Sequence, residues 1–310
     1  MPAAQPAAAV QDPHNLLRGK PVADSILESV RNGVSELNAT GWPVRIVSIT
    51  IGEVPEAALY VRNQARTATR AGIGFEERNF SATASAGEIL AAINACNTDP
   101  RVTGVILQRP ISAHLNIRDL QSAIHPLKDV EGMHPASIGN IVYKDLSLGP
   151  CTAMASVELL RHTGLKLEGL EAVVIGHSEI VGKPIAFLLM AEGATVIVCH
   201  HMTRSVAMHA RRADAVFVAV GKPKLVTASM IKPGAAVIDI GINQVEVDGA
   251  IQTVGDVHFE GCLETAGWIT PVPGGVGPVT VAILMRNALV ATHAQKRHYD
   301  RRFSTQAPQD

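Results

Sequence analysis

A glycine-bearing turn in the middle of the chain carries residues that could bind a phosphate group. The apolar run 173–175 leads into Gly-His-Ser-Glu-Ile-Val-Gly-Lys-Pro at 176–184. Gly176 lets the chain turn closely, Ser178 offers a hydroxyl, and a helix starting here would offer free backbone N–H groups and a positive dipole. The spacing departs from G-x-G-x-x-G, since Ser178 replaces the second glycine and the third falls one position later. Either a dinucleotide site or a strand-to-helix turn that merely needs glycine fits this pattern.

The segment after the next apolar run, 195–199, bears on which dinucleotide would fit. An NAD site usually places an acidic residue here, about 20 residues after the glycine turn, for the ribose 2′-hydroxyl. This chain has His200, His201 and Thr203 instead, and Lys183 stands at the start of the preceding helix. These groups favour the 2′-phosphate of NADP, with NAD as the alternative. The other interpretation of the two histidines is a solvated strand end.

The composition argues against several partner classes. With 27 basic and 28 acidic residues and 4% aromatic residues, the chain lacks the basic excess and stacking side chains typical of nucleic-acid binding. No stretch approaches the roughly 18 consecutive apolar residues of a membrane span, and the N-terminus does not resemble a secretory signal. The four cysteines are far apart and no H-E-x-x-H occurs among the 12 histidines. We therefore expect a cytoplasmic protein without metal, nucleic-acid or membrane partners.

Strand-like and helix-like segments alternate along the chain, which is typical of parallel sheets built from βαβ units. The predicted strands are 44–51, 75–80, 102–107, 172–176, 195–199, 215–221 and 236–241. The predicted helices are 22–37, 55–72, 86–94, 183–193 and 277–294. The series divides near residue 150, so we predict an α/β fold of two domains.

Several segments together resemble the methylenetetrahydrofolate dehydrogenase/methenyltetrahydrofolate cyclohydrolase family. The most specific is Thr-Pro-Val-Pro-Gly-Gly-Val-Gly-Pro-Val-Thr at 270–280, and His-Pro-Leu-Lys-Asp-Val-Glu-Gly at 125–132 resembles the family's H-P-x-K-D-V-D-G. The motifs of the cofactor domain are matched in order at 176–184, 220–223, 239–243 and 254–257. The similarity extends over about residues 14–300.

The resemblance implies a folate-binding catalytic domain and a Rossmann-type NAD(P)-binding domain, with a cleft between them for folate and nicotinamide. The catalytic domain would comprise 14–152 plus a helix at 280–300 that returns to it, the Rossmann domain 153–279, and the tails 1–13 and 301–310. Family members are usually homodimers, and their substrates are one-carbon derivatives of tetrahydrofolate.

The resemblance also assigns the site residues. The catalytic positions of the pterin site fall on Tyr60, Gln64, Gln108 and Glu131. Further substrate contacts would come from Pro110, Pro273, Gly274 and Gly275. The cofactor contacts would be Gly176, His177, Ser178, Ile180, Gly182, Lys183, His200, His201, Thr203, Val220, Gly221 and Ile242.

The pterin site departs from the family pattern in ways that affect the chemistry. Gln64 replaces a lysine that is thought to assist proton transfers in the cyclohydrolase reaction, and Glu131 replaces an aspartate. Arg109 replaces a leucine, Ser112 a proline, and Glu56-Ala57 an Ala-Ser pair. Glutamine can form hydrogen bonds but cannot titrate. We therefore expect an NADP-dependent dehydrogenase whose cyclohydrolase activity is lost or weak.

Three alternatives follow from the same departures. The first is a dehydrogenase retuned to a different reduced pterin or one-carbon adduct, with Arg109 contacting a new acidic group. The second is a redundant copy that binds the cofactor weakly and catalyses little. The third is a dinucleotide-binding protein without catalytic activity.

Overall fold

Two parallel sheets, one from each half of the chain, carry the strands that the apolar runs predict. They are seen in a computed structural model that describes residues 14–52, 55–247 and 249–304. The first sheet has three parallel strands in the order β2-β1-β3. These strands are β1 (Arg45–Ile51), β2 (Gly74–Phe80) and β3 (Gly104–Leu107). β1 lies in the centre, and the carboxyl ends of β1 and β3 meet at one edge, where Ile49 pairs with Leu107.

Helices fill the connections of this first half and continue beyond the sheet. They supply the helical crossovers that parallel strands need. The helices are α1 (Gly19–Ala39), α2 (Pro55–Arg70), α3 (Ala86–Thr98), α4 (Ile117–Ala123), α5 (Pro135–Val142) and α6 (Cys151–Arg161). The periodicity predicts the first three but not α4, α5 or α6. α4 and α5 are short and begin at side-chain caps from Asn116 and His134 rather than showing a long apolar stripe.

The second sheet has five parallel strands in the order β10-β7-β6-β4-β5. They are β4 (Glu171–Ile175), β5 (Thr195–Cys199), β6 (Ala215–Val218), β7 (Ala236–Asp239) and β10 (Trp268–Ile269), and a separate hairpin comprises β8 (Asn243–Val247) and β9 (Ala250–Val254). The connecting helices are α7 (Gly182–Ala191), α8 (Val206–Ala210) and α9 (Phe259–Cys262). The strand order reverses at β4, which places β5 on one side and β6 on the other. In open sheets of this kind a ligand binds at the carboxyl ends beside that reversal.

The last helix, α10 (Val276–Ser304), packs along α1 and α6. It is long and apolar enough to cross a membrane by composition alone, but 67% of its most apolar window is buried within the fold, as in a core helix. The helix also runs past both predicted limits, 294 and 300. Its polar last turns are held by an edge-to-face contact between Trp42 and Tyr299 at 5.5 Å and a ring contact between Tyr299 and Phe303 at 4.4 Å. Residues 301–304 are therefore helical, while 1–13 and 305–310 lie outside the described residues.

The start of the described chain joins the two halves. The Leu17 N–H donates to the Ile269 carbonyl at 2.8 Å, and the Ile269 N–H donates to the Asn15 carbonyl at 2.9 Å, so this segment extends the second sheet. At the start of α1, a Cβ on Gly19 would lie 1.8 Å from the carbonyl oxygen of Gly275. A glycine is thus required at this close approach between α1 and the loop before α10.

Asn287 on α10 ties the loop after β3 to the start of α6. Its Nδ2 donates to the carbonyl oxygens of Val130 and Gly149, both at 3.0 Å, and the residue is fully buried. Those carbonyls belong to the two segments that flank Glu131. α10 therefore holds the loop that carries one of the predicted site residues.

We expect Asn287→Leu to lower the free energy of unfolding by about 2–4 kcal/mol, because two buried carbonyl groups lose their donor. Urea unfolding measures this change. Arg297→Ala, at an exposed position on the same helix, should change the free energy by less than about 0.5 kcal/mol. Equal effects of the two substitutions would contradict this account of Asn287.

Candidate active site

Two buried glutamines form a hydrogen bond at the carboxyl end of the first sheet. Gln108 follows β3 directly, and its N–H donates to the Ile49 carbonyl at 2.9 Å. Its Nε2 donates to Gln64 Oε1 at 2.6 Å and to Ser48 Oγ at 3.0 Å. Gln64 is 1% and Gln108 4% exposed. Both amide hydrogens of Gln108 are thus engaged, and the side chain of Gln64 has a fixed position.

Tyr60 lies one helical turn before Gln64 on α2, on the same face. Desolvation is the main cause that raises the pKa of Tyr60 well above its ordinary value, and the nearby Cys151 and Glu131 add to it. The hydroxyl therefore stays protonated near neutral pH. The residue as a whole is still 40% exposed, which leaves part of its surface available to a ligand.

Glu131 is held at the same edge. Its Oε2 accepts a hydrogen bond from the Leu107 N–H at 3.0 Å. Burial is the main cause that raises the pKa of Glu131 to about 7; Asp129 raises it further, whereas the Leu107 hydrogen bond and Arg109 lower it. Near neutral pH the carboxyl group therefore exchanges between its protonated and ionised forms.

Two residues that precede Glu131 in the motif at 125–132, Lys128 and Asp129, hold the conformation of its loop. Asp129 accepts hydrogen bonds from the N–H groups of Met133 and His134 and from Ser137 Oγ at 2.6 Å. The Lys128 ammonium donates to backbone carbonyl oxygens of α3 and the following turn, at 2.7 and 2.8 Å. These contacts shape the loop and leave Glu131 as the motif's carboxylate next to Gln108.

The other residues that depart from the family pattern lie around the hydrogen bonds of Gln64 and Gln108. Arg109 precedes a cis peptide bond to Pro110, and its guanidinium donates to Gln121 Oε1 at 2.8 Å. Ser112 Oγ donates to the Ala82 carbonyl at 2.7 Å. The side chains of Glu56 and Ala57 lie outside the part of the chain that the structure describes.

The predicted substrate contacts are on two loops. Pro110, Pro273 and Gly274 are exposed, whereas Gly275 is buried. Gly274 has φ +106°, and its carbonyl accepts a hydrogen bond from the N–H of Gly19 at 2.9 Å. Among the described residues, no hydrogen bond connects these positions to the network of Gln64 and Gln108.

The glycine turn after β4 packs closely against the end of β6. Gly176 has φ +116°, and a Cβ there would lie 2.2 Å from the Ala219 carbonyl oxygen. A Cβ on Gly182 would lie 2.0 Å from the Gly176 carbonyl oxygen. The first and last glycines of the turn are therefore required by contact, which explains their spacing.

Ser178 corrects the expectation that the start of α7 offers free N–H groups. Its Oγ accepts from the N–H of Val181 at 3.2 Å and of Gly182 at 3.4 Å, and its carbonyl accepts from the N–H of Lys183 at 3.0 Å. These three donors are occupied by the turn itself. A ligand would instead meet the Ser178 hydroxyl proton, the preceding backbone of the turn and the exposed side chain of Lys183.

Three imidazoles gather beside this turn, because β4 and β5 are neighbouring parallel strands and Ile175 pairs with Cys199. The ring centroids of His177 and His200 are 4.8 Å apart, and His201 lies 5.9 Å from His200. The His200 N–H donates to Thr203 Oγ1 at 2.9 Å, which shapes the turn after β5. The structure thus brings together His177, His200, His201 and Thr203.

Two buried aspartates, Asp239 and Asp256, hold the remaining loops at the carboxyl ends of the second sheet. The sequence pattern alone did not indicate this role. Asp256 accepts hydrogen bonds from the N–H groups of Val220, Gly221 and Lys222, at 2.6, 3.0 and 2.8 Å. It also accepts from Asn243 Nδ2 at 2.9 Å. One carboxylate therefore fixes the turn that carries two of the predicted cofactor contacts.

Asp239 holds the neighbouring loops in the same way. Its carboxylate accepts from the N–H groups of Gly241, Asp256 and Val257, at 3.0, 3.0 and 2.8 Å. Burial is the main cause that raises the pKa of Asp239 to about 6. A Cβ on Gly255 would lie 1.8 Å from Asp239 Oδ2. The signal in the sequence is the recurrence of aspartate beside glycine at 239–241 and 255–256.

Ile180 and Ile242, the two other predicted cofactor contacts, differ in exposure. Ile180 is half-buried in the glycine turn. Ile242 follows β7 and is 72% exposed, so its side chain is available to a ligand.

Comparison with known proteins identifies both halves of the chain. Residues 17–131 match the family description "Tetrahydrofolate dehydrogenase/cyclohydrolase, catalytic domain". Residues 150–296 match "Tetrahydrofolate dehydrogenase/cyclohydrolase, NAD(P)-binding domain".

Individual relatives agree with this result. Bifunctional protein FolD 2 of Mesorhizobium japonicum is 61% identical over 295 residues, covering 95% of this chain and 96% of the relative. Bifunctional protein FolD 3 of Roseobacter denitrificans is 63% identical over 288 residues, covering 93% and 98%.

Solved structures show the same fold. The bifunctional methylenetetrahydrofolate dehydrogenase/cyclohydrolase FolD of Campylobacter jejuni superposes with a TM-score of 0.86 at 36% identity, covering 90% of this chain and 99% of that one. The Trypanosoma brucei enzyme, solved with NADP and an inhibitor, gives a TM-score of 0.85 at 33% identity, covering 90% and 97%.

Glu131 should make stability depend on pH. Its carboxyl group has a pKa of about 7 in the folded protein against an ordinary value of 4.5, so protonation favours the folded state. Relative to Glu131→Gln, the wild type should lose up to about 3 kcal/mol of unfolding free energy as the pH rises from about 4.5 to about 7, and no more above that. Urea unfolding over this range measures the difference.

Glu36→Gln, at an exposed position on α1, is the control for removing one carboxylate and should keep the wild-type pH dependence. If wild type and Glu131→Gln instead respond in parallel to pH, the carboxyl group of Glu131 does not titrate as described.

Proposed function

The chain belongs to the tetrahydrofolate dehydrogenase/cyclohydrolase family, and on that premise we propose that it oxidises 5,10-methylenetetrahydrofolate to 5,10-methenyltetrahydrofolate with NADP. We further propose that its cyclohydrolase activity is lost or weak. The observation that carries this second step is the buried hydrogen bond between Gln108 and Gln64 at 2.6 Å. A neutral amide that is hydrogen-bonded to Gln108 therefore occupies the position at which the family pattern has a lysine.

The oxidation demands positioning rather than acid–base chemistry. NADP, when bound, accepts a hydride from the one-carbon bridge, while the lone pairs of the substrate's N5 and N10 stabilise the cation that is left. No side chain has to take up a proton in this step, so orientation and electrostatics supply the catalysis. Tyr60 would contact the pterin, Gln108 would fix its position, and Glu131 would accept hydrogen bonds from its amino and ring N–H groups.

The second domain offers groups that suit NADP. The turn at 176–182 packs tightly against Ala219, and its exposed Ser178 hydroxyl and Lys183 side chain are groups that could bind a pyrophosphate. The turn after β6 is fixed by Asp256. The turn after β5 carries imidazoles in place of the carboxylate that would oppose a 2′-phosphate. A relative of known structure binds NADP, which supports the same cofactor for this chain.

Hydrolysis of the methenyl product makes different demands. Water must add to the cationic carbon and protons must move, so a titrating group or a positive charge is needed. The Gln64 amide supplies neither, and the raised pKa of Tyr60 keeps its hydroxyl protonated near neutral pH, so no phenolate is present to act as a base. Glu131 titrates near neutral pH and would account for residual hydrolysis.

A second candidate rests on Arg109. Its guanidinium is held by Gln121, whose Nε2 is buried without a hydrogen-bond partner among the described residues. This pair could recognise an acidic group on a different reduced pterin or one-carbon adduct. Comparing NADP reduction with methylenetetrahydrofolate and with other reduced pterins distinguishes the two candidates, and cofactor binding without turnover would instead favour a non-catalytic role.

Purified protein should reduce NADP when given methylenetetrahydrofolate but hydrolyse methenyltetrahydrofolate hardly faster than buffer. Gln64→Lys should raise the hydrolysis rate at least about tenfold, because a positioned proton-transfer group contributes about 10²–10⁴-fold when fully effective. Absorbance of the methenyl compound and of the reduced cofactor measures the two reactions on one preparation.

Asn63→Lys is the matched control, since it adds a lysine at an exposed position of the same helix and should leave both rates unchanged. Thermal unfolding of Gln64→Lys separates a folding defect from a failure to rescue. Rapid hydrolysis by the wild-type protein would overturn the second half of the proposal, and a failure to reduce NADP would overturn the first.

A further inference from the structure

An ion pair connects the two domains beside the glycine turn. Arg118 Nη2 of α4 donates to Glu179 Oε1 at 2.6 Å, and Glu179 belongs to the turn between β4 and α7. Arg118 lies in the segment that matches the family's catalytic domain, and Glu179 in the segment that matches its NAD(P)-binding domain. The contact therefore joins the domains at the turn that the proposed function assigns to the cofactor.

The helix that carries Arg118 contacts both sites. α4 follows β3 through the loop 108–116, which begins with residues of the first site. Arg118, near the start of the helix, pairs with the glycine turn, and one turn later Gln121 accepts the hydrogen bond from Arg109. One short helix thus links the surroundings of the first site to the second.

The charge of the glycine turn depends on this contact. Glu179 and Lys183 are the formally charged residues of the turn, both are exposed, and their charges cancel. The guanidinium of Arg118, supplied by the other domain, leaves a net positive charge beside the turn. Without it, the carboxylate of Glu179 directly follows Ser178 and no excess positive charge compensates its repulsion of an anion.

We propose that Arg118 is a positioning residue for the cofactor. By pairing with Glu179 it removes a carboxylate's repulsion from the pyrophosphate subsite, so the affinity for the nucleotide depends on contact between the two domains. This inference rests on the proposed function for the nature and placement of the cofactor. A pyrophosphate is doubly negative, and a nearby carboxylate weakens its binding unless a cation lies close to that carboxylate.

The contribution of the pair belongs to binding rather than to folding. Arg118 and Glu179 have side chains that are 73% and 59% exposed, and ion pairs at such positions add little to stability. NAD and NADP should be affected equally, because both contain the pyrophosphate. The effect should also disappear at high salt, since the screening length falls from about 10 Å at 0.1 M to about 3 Å at 1 M ionic strength.

The test is a double-mutant cycle on the dissociation constant of NADP, measured by calorimetry without folate at low ionic strength. Arg118→Ala should weaken binding about fivefold, because an attraction is lost and Glu179 is left uncompensated. A protein carrying Arg118→Ala and Glu179→Gln together should bind within about twofold of the wild type. This rescue distinguishes charge compensation from a purely structural link, since removing both partners would not restore such a link.

Two further variants serve as controls. Arg118→Lys keeps the positive charge and should bind NADP within about twofold of the wild type. Arg101→Ala removes an exposed guanidinium that pairs with Asp99 at 2.8 Å, before the amino end of β3 and therefore at the opposite edge of the first sheet. It should bind as the wild type does. Thermal unfolding of each variant shows that it is folded.

Each outcome decides the inference. Unchanged affinity in Arg118→Ala overturns it, as does a double variant that binds as weakly as Arg118→Ala. A loss of affinity that persists in full at about 1 M salt also overturns it. If NAD and NADP follow the cycle but methylenetetrahydrofolate is not oxidised, the proposed function fails while the inference holds. Binding of neither nucleotide by the wild type overturns both.

Discussion

The hydrogen bond between Gln108 and Gln64 is the interaction on which the first site depends. It links α2 to the end of β3, and through Ser48 it also reaches β1. Because both amides are buried, neither can turn away without leaving polar groups unsatisfied. The bond therefore fixes the position of Tyr60 one turn away on α2. It also holds a neutral amide at position 64, which is the basis of the proposal that the site favours hydride transfer over hydrolysis.

The second site depends on two buried carboxylates that hold its loops through backbone hydrogen bonds. Asp239 and Asp256 collect backbone N–H groups from the loops after β6 and β7, and the neighbouring glycines leave room for the carboxylates. These hydrogen bonds fix the conformation of both loops. At the far end of the same edge, the imidazoles of His177, His200 and His201 follow β4 and β5. The loops after β6 and β7 are thus held by buried carboxylates, whereas the loops after β4 and β5 carry imidazole side chains.

Much of this organisation could be predicted from the sequence, for physical reasons. Most strands of the two sheets are short apolar runs between turn residues, the exceptions being the polar β2 and the two-residue β10, of which the pattern predicted only β2. α1 and α2 have clear apolar faces, so their positions follow from periodicity. α4 and α5 depend on capping side chains, and the last turns of α10 depend on Trp42, a partner distant in sequence. Those features could not be predicted from local pattern.

The site shows the same division. The residue types at the proposed pterin site could be assigned from the resemblance to the family. The hydrogen bond from Gln108 to Gln64 could not, because it depends on how the two elements pack. The helix α7 was predicted, but Ser178 occupies the donors that were expected to bind phosphate. The pairing of Asp239 and Asp256 with glycines was visible as a motif, yet its meaning required the packing.

We propose that this site oxidises methylenetetrahydrofolate but does not hydrolyse the methenyl product. The most direct test of this proposal is to identify the products formed during turnover of methylenetetrahydrofolate with NADP, by rapid quenching and chromatography at early times. The account predicts that methenyltetrahydrofolate accumulates in step with the reduced cofactor, with the ring-opened formyl compound forming no faster than in buffer. Formation of the formyl compound in step with the reduced cofactor would contradict it.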